Sequence, residues 1–259
     1  MPGADLPRLF APLVVRAAEA ALFLDYDGTL APIVDDPGGA QPVPGVPALL
    51  SRLGARLGLV AVVSGRPVSY LERALGRPTG VYLAGLYGME EIGADGILRR
   101  DPAAEAWRRS VEEVTTALLA DAPPGVGVEP KGLSVTVHWR RAPAEERWAR
   151  EAVAAAAERT GLNPQPGRMS LELRPPVAAD KGTVVTRLGT GRPVVACFGD
   201  DLGDLPAFEA VSALRRAGAT TVTVAVVDAE SAPEVVAMAD ITVDGPEAAV
   251  ALLEALAAG

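Results

Sequence analysis

The sequence predicts an α/β protein: a doubly wound parallel sheet with an inserted, smaller α+β unit. Three observations carry this prediction. Short apolar runs alternate with helical stretches rich in Ala, Leu and Arg at both ends of the chain. Those runs are apolar throughout, as strands covered on both faces of a parallel sheet are. The middle of the chain instead alternates in period two, the pattern of strands with one solvated face.

In chain order, ALFL at 21–24 reads as the first strand, followed by a helix near 46–57, the strand LVAVV at 59–63, a helix near 67–75 and the strand VYLAG at 81–85. Asp95-Gly96 is a turn-forming dipeptide and marks a hinge. Residues 102–120 and 143–160 read as amphipathic helices, and GLSVTVHWR (132–140) and RMSLELR (168–174) as half-buried strands. Pro175-Pro176 marks the second hinge. Beyond it the core pattern returns, with a helix near 181–188, the strand VVACF at 194–198, a helix near 205–217 and the strand VTVAVV at 222–227. The expected domains are a core formed by 1–97 and 177–259 and an insert at 98–176.

Composition narrows the function. The 259 residues carry a net charge of −9, which repels nucleic-acid phosphates and anionic membrane surfaces, so neither is an expected partner. Cys197 is the only cysteine and His138 the only histidine, which excludes an intrachain disulfide and a Cys/His zinc cluster. Any metal must sit on oxygen ligands. No apolar run approaches the ~20 residues needed to span a bilayer. The N-terminal stretch has Asp5 and an arginine after its apolar patch, unlike a secretory leader, so a cytoplasmic protein is expected. The sequence is silent on oligomeric state, with a monomer as the default. Lys131 and Lys181 are the only lysines, which singles out their compact point charges.

Three polar clusters follow apolar strands directly: Asp25-Tyr26-Asp27-Gly28-Thr29, Ser64-Gly65-Arg66 and Gly199-Asp200-Asp201-Leu202-Gly203-Asp204. In an open parallel sheet the carboxyl ends of the strands form one edge, and ligands bind in the crevice there. A single Asp after a strand is ordinarily a turn or N-cap residue. Two such clusters ending two strands instead bring Asp25, Asp27, Asp200 and Asp204 together, a crowd of like charge that requires a cation or protonation. A hard divalent ion, Mg²⁺, suits an all-oxygen site. With Ser64 and Lys181 in reach, such a site is built for a phosphate.

LDYDGTL (24–30), VVSGR (62–66), ADKG (179–182) and GDDLGD (199–204) resemble the four ordered motifs of haloacid-dehalogenase superfamily phosphatases, and the insert resembles their type-IIB cap. More narrowly, DYDGTLAPIVDDP, SGRPVSYL, GLYGMEEIGADG, KGLSVTVHWR, SLELRP and GDDLGDLPAF resemble the trehalose-6-phosphate phosphatase family over almost the whole chain. The resemblance implies that Asp25 is a nucleophile forming an aspartyl-phosphate and that Asp27 is the general acid, then base. It implies Mg²⁺ on Asp25, the Asp27 carbonyl and Asp200, with Asp204 supporting, and phosphoryl contacts from Ser64 and Lys181. Sugar-phosphate contacts are expected from Arg66, Glu90, Lys131, Arg140, Arg168, Ser170 and Glu172. Residues 168, 170 and 172 share one face of a strand by their spacing. His138, beside Trp139, fits a structural role as well as a functional one.

The chain departs from the family pattern at Gly203, where Thr is common, and at Leu205-Pro206, where acids are common. GLYG at 85–88 lacks the His often found before the second Gly, and Arg168 stands where Lys is frequent. The expected reaction is hydrolysis of trehalose 6-phosphate. The alternatives are the same chemistry on another sugar or pseudo-disaccharide phosphate, phosphotransfer to another acceptor, or a non-catalytic phosphosugar sensor, which would need neither Asp25 nor Asp27.

Overall fold

Strand β1 (Ala20–Leu24) is buried along its whole length and runs through the middle of an eight-stranded sheet. The computed structural model describes residues 7–34, 39–167, 169–229 and 231–259. On one side of β1 lie β2 (Leu59–Val63), β3 (Val81–Gly85), β4 (Glu90–Ile92) and β5 (Leu98–Arg100); on the other lie β10 (Val194–Gly199), β11 (Thr220–Val227) and β12 (Ile241–Asp244). The spatial order is β12-β11-β10-β1-β2-β3-β4-β5. From β12 to β3 every pairing is parallel, and β4 runs antiparallel to β3.

Alternation along each strand explains why the central strands are apolar at every position. Leu22, Leu24, Val60, Val62, Ala196 and Phe198 face a layer that draws on α1 (Ala11–Val15), α2 (Val46–Arg56), α3 (Val68–Leu75) and α10 (Gly245–Ala258). Ala21, Phe23, Ala61, Val63, Val195 and Cys197 face α7 (Lys181–Gly189), α8 (Leu205–Arg216) and α9 (Pro233–Met238). With both faces covered, the expected doubly wound sheet is the observed one. Strand order reverses between β1 and β10, since β1–β2–β3 proceeds one way and β10–β11–β12 the other.

Contacts divide the chain into two compact units, one formed by the segments up to Arg99 and from Ala179 to Gly259, the other by Arg100–Ala178. The second unit has an antiparallel sheet in the order β6-β7-β9-β8, from β6 (Gly127–Pro130), β7 (Val135–His138), β8 (Asn163–Gly167) and β9 (Ser170–Arg174). Val135, Val137 and Leu173 pack against α5 (Arg108–Asp121) and α6 (Glu146–Thr160). Register places Glu129, Thr136, Glu172, His138 and Ser170 on the other face. The helix expected over 102–120 is interrupted: α4 (Pro102–Glu105) is capped by the Asp101 carboxylate accepting from Ala103 N–H, and α5 starts afresh after Trp107. Among the described residues no helix is long and apolar enough to cross a membrane.

Candidate active site

The chain leaves β1 at Asp25 and β10 at Asp200, on the two sides of the reversal point. Asp25 N–H donates to the Phe198 carbonyl at 3.1 Å, which ties the two exits together. α7 brings the third group. Its N-cap Asp180 accepts from Thr183 N–H at 2.7 Å in a capping box, which fixes Lys181 at the first helical position. Lys181 is buried, with Nζ 2.6 Å from Asp25 Oδ1 and 2.7 Å from Asp204 Oδ1. The other oxygen of Asp204 accepts from Asp200 N–H at 3.0 Å and lies 3.4 Å from Asp201 N. Asp204 thus organises both Lys181 and the loop after β10.

Carboxylate oxygens of Asp25, Asp200 and Asp204 all lie within 4.8 Å of one another. Burial pushes the Asp25 pKa up to about 8; Lys181 opposes the shift while Asp204 and Asp201 add to it. Burial also raises Asp200 and Asp204, the former reinforced by Asp25. Lys181 loses hydration as well, but Asp204 and Asp25 outweigh that cost and hold its pKa well above the ordinary lysine value. One ammonium thus faces several acids. Asp200 Oδ1 is buried without a hydrogen-bond partner among the described residues. A buried acceptor of that kind is costly unless something positive meets it. A hard divalent cation fits this all-oxygen cluster.

Gly28 makes room for Asp200. Its φ is +76°, and a Cβ built there would overlap the Asp200 carboxylate. Gly28→Ala is therefore expected to cost about 1–3 kcal/mol from backbone strain alone, read as a lowered Tm. An unchanged Tm would show that the loop relaxes freely.

Asp27 points elsewhere. Arg66 grips both of its oxygens, Nε to Oδ2 and Nη2 to Oδ1, each at 2.8 Å. The Arg66 guanidinium also lies 4.5 Å above the Tyr70 ring, and Tyr70 meets buried Tyr26 edge-on. Both tyrosine hydroxyls donate to the Ala40 carbonyl, at 2.8 and 3.2 Å. Arg66, expected as a sugar-phosphate contact, pairs with Asp27 in the structure. Ser64, at the carboxyl end of β2, is buried, and its hydroxyl accepts from Arg66 N–H at 3.1 Å.

A cavity of about 120 Å³ opens at this edge, lined by Asp25, Asp27, Ile33, Gly65, Tyr87, Lys181, Asp200, Asp201 and Gly203. Small-molecule pockets usually run to roughly 300–1,000 Å³. A volume of this size takes a phosphoryl group. Sequence reasoning singled out neither Ile33 nor Tyr70 and left Gly28 without a role. Glu90 is buried, and its Oε2 accepts from Val68 N–H at 3.1 Å, at the start of α3.

In the second unit, Lys131 Nζ lies 3.6 Å from Glu172 Oε1, which also accepts from the Ser134 hydroxyl at 2.6 Å. Ser170, Glu172 and Thr136 are buried although polar, and Thr136 Oγ1 has no hydrogen-bond partner among the described residues. His138 Nε2 lies 3.0 Å from Glu129 Oε2, which gives the lone histidine a structural partner. Arg140 is half-buried in the turn after β7. Arg168 lies outside the described residues.

A trehalose-phosphatase family model matches residues 23–242. The trehalose-phosphate phosphatase of Mycobacterium leprae is 37% identical over 212 residues, covering 76% of this chain and 49% of the relative. That of Mycobacterium marinum is 40% identical over 203 residues, with 74% and 51% covered. The chain spans about half the length of the curated relatives it matches. The C-terminal domain of Candida albicans trehalose-6-phosphate phosphatase superposes with a TM-score of 0.78 at 23% identity, covering 99% of this chain and 98% of that one, a likeness of fold. Motif order, a switch-point acid cluster and a match over most of the chain agree: this protein belongs to the trehalose-phosphatase family.

Proposed function

We propose that the chain is an Mg²⁺-dependent phosphatase that hydrolyses trehalose 6-phosphate to trehalose and phosphate in the cytoplasm, with Asp25 as nucleophile. The single observation that carries the reading is the contact of buried Asp25 with Lys181 at 2.6 Å, beside Asp200, whose inner oxygen has no protein donor among the described residues. The sugar is taken from the names of the family and of its relatives.

Asp25 and Asp200, with the Asp27 carbonyl, would hold the cation. When bound, the cation neutralises phosphoryl charge and the crowded carboxylates. An Asp25 oxygen attacks phosphorus, the P–O bond to the sugar breaks, and Asp27 delivers a proton to the departing sugar oxygen. Lys181 neutralises charge on the phosphoryl oxygens while Asp204 keeps its ammonium in place. Water then attacks the aspartyl-phosphate, Asp27 takes back a proton, and Asp25 is released as a carboxylate with inorganic phosphate. Arg66 orients Asp27 through both of its oxygens in the structure, and one of them leaves the guanidinium when Asp27 carries the proton.

Ser64 is proposed as a further phosphoryl ligand, since it ends β2, the strand next to β1. Lys131, Ser170 and Glu172 are proposed as sugar-contacting groups; what supports them is the buried polar face that Ser170 and Glu172 share with Thr136, and the pairing of Lys131 with Glu172. Glu90, Arg140 and Arg168 are kept as proposed substrate contacts on the family resemblance alone.

The test is phosphate release from a panel of sugar phosphates, with Mg²⁺ and with excess EDTA. Trehalose 6-phosphate is expected to turn over at least tenfold faster than hexose 6-phosphates, and EDTA to abolish release. Equal rates across the panel would move the substrate to another phosphosugar. Full activity in EDTA would remove the metal.

A further inference from the structure

Three consecutive residues at the cavity rim hold a left-handed backbone, and only the last is glycine. Leu86 has φ +50°, Tyr87 +61° and Gly88 +95°. For residues with a Cβ this conformation costs on the order of 1–3 kcal/mol each, so it persists only where the surroundings enforce it. Here two hydrogen bonds enforce it: Leu86 N–H donates to the Arg66 carbonyl and Tyr87 N–H to the Ser64 carbonyl, both at 2.9 Å. The strained turn is thereby joined to the loop after β2, and the Tyr87 phenol is laid over Gly65. A Cβ at Gly65 would stand 2.6 Å from the Tyr87 hydroxyl. Glycine at 65 is what lets the ring in.

A glycine at position 87 would take this backbone without strain. The chain instead keeps a large, half-buried aromatic that lines the cavity. Asp25, Asp27, Lys181, Asp200 and Asp201 make much of that lining ionic, whereas Ile33, half-exposed at 49%, and Tyr87 offer carbon surface. Tyr87 adds a hydroxyl to its carbon surface, a combination that matches a sugar, whose C–H faces are apolar and whose rim is hydroxylated.

We infer that Tyr87 is a specificity-determining residue that contacts the leaving-group sugar beside the phosphoryl pocket, which deepens and rests on the phosphatase reading above. A site that hydrogen-bonds a substrate hydroxyl discriminates strongly against analogues that lack it. The quantity to measure is therefore a ratio: kcat/KM for trehalose 6-phosphate over kcat/KM for p-nitrophenyl phosphate, a phosphomonoester without sugar hydroxyls.

Tyr87→Phe removes the hydroxyl alone, and Tyr87→Gly removes the ring while relieving the backbone. Both are expected to retain folded, cooperative thermal unfolding. The ratio is expected to fall at least tenfold in Tyr87→Phe, mostly through KM, and further in Tyr87→Gly. A ratio unchanged in both variants, whether the two rates fall together or not at all, would overturn the inference and leave Tyr87 as a support for the loop at Gly65. Binding in the Asp25→Asn background, with Mg²⁺ present, makes the test independent of turnover. There Tyr87→Phe is expected to weaken calorimetric binding of trehalose 6-phosphate at least tenfold more than binding of inorganic phosphate. Sugar-phosphate binding without hydrolysis by the wild-type chain would overturn the phosphatase reading and keep Tyr87. Equal loss for both ligands, or no binding of either, would overturn the role of Tyr87.

Discussion

Asp25→Asn is expected to lower kcat by ~10⁴-fold or more, the scale on which loss of a nucleophile acts in enzymes that form covalent intermediates, while Tm holds or rises. The two halves of this result come from one feature. Asp25 is buried, and burial has pushed its pKa up to about 8. Ionised Asp25 is therefore tolerated in the metal-free fold only at a cost, and a neutral isostere removes that cost. Lys181 is not stranded by the change, because Asp204 still holds its Nζ at 2.7 Å. Phosphate release and differential scanning calorimetry on the same preparation check both halves. Undiminished hydrolysis would discard Asp25 as nucleophile. A large drop in Tm would show that Asp25 is part of the scaffold.

Much of the core was legible because burial on both faces leaves a simple signature. ALFL, LVAVV, VYLAG and VVACF have no polar residue to break the run, and each became a strand of the parallel sheet. β8 gave no such sign. Its sequence is NPQPG, and two prolines argue against a strand anywhere except at an edge, which is where β8 lies. β6 (GVEP) is the opposite edge of the same sheet and ends on a proline. The break between α4 and α5 is not legible, because apolar periodicity runs on through 102–120 and no side-chain cap marks the start of α5 at Trp107.

The candidate site was legible where a residue's place in the chain determines its place in space. Asp25 and Asp200 each follow a central strand, and the order of parallel strands brings them together. Pairings that depend on side-chain direction were not legible. Arg66 is expected as a sugar-phosphate contact, and its pairing with Asp27 shows only in the structure. Glu90 is expected as a sugar-phosphate contact, and nothing in the sequence announces that it is buried and accepts from Val68 N–H at a helix start. Gly28 and Gly65 stood in plain view in their motifs, but the neighbours that require them, Asp200 and Tyr87, lie far along the chain.

Lys181→Met is expected to be the most destabilising single change at the site, because it leaves Asp25, Asp200 and Asp204 facing one another with no lysine between them. Breaking a buried ion pair from one side costs about 3–5 kcal/mol, or on the order of 10 °C in Tm for a chain of this size. The pH dependence separates this cause from mere loss of packing. Asp25 has a folded pKa raised above its unfolded value, so in EDTA the native state holds a proton that the unfolded chain has released. Its contribution to stability is complete below its ordinary pKa and is lost as pH rises through about 8. Lys181 is also raised, so it stays charged across that window and contributes evenly there. Removing it lifts the acids further, the folded variant binds more protons than the wild type near pH 8, and the deficit in stability widens with pH. Thermal unfolding in EDTA between pH 6 and 8.5 should therefore show wild type declining and Lys181→Met declining more steeply. Parallel curves would mean that the lysine acts through packing of its stem. Coincident curves would mean that the buried acids do not depend on it, and with that the proposed role of Lys181 in neutralising the phosphoryl group would fail.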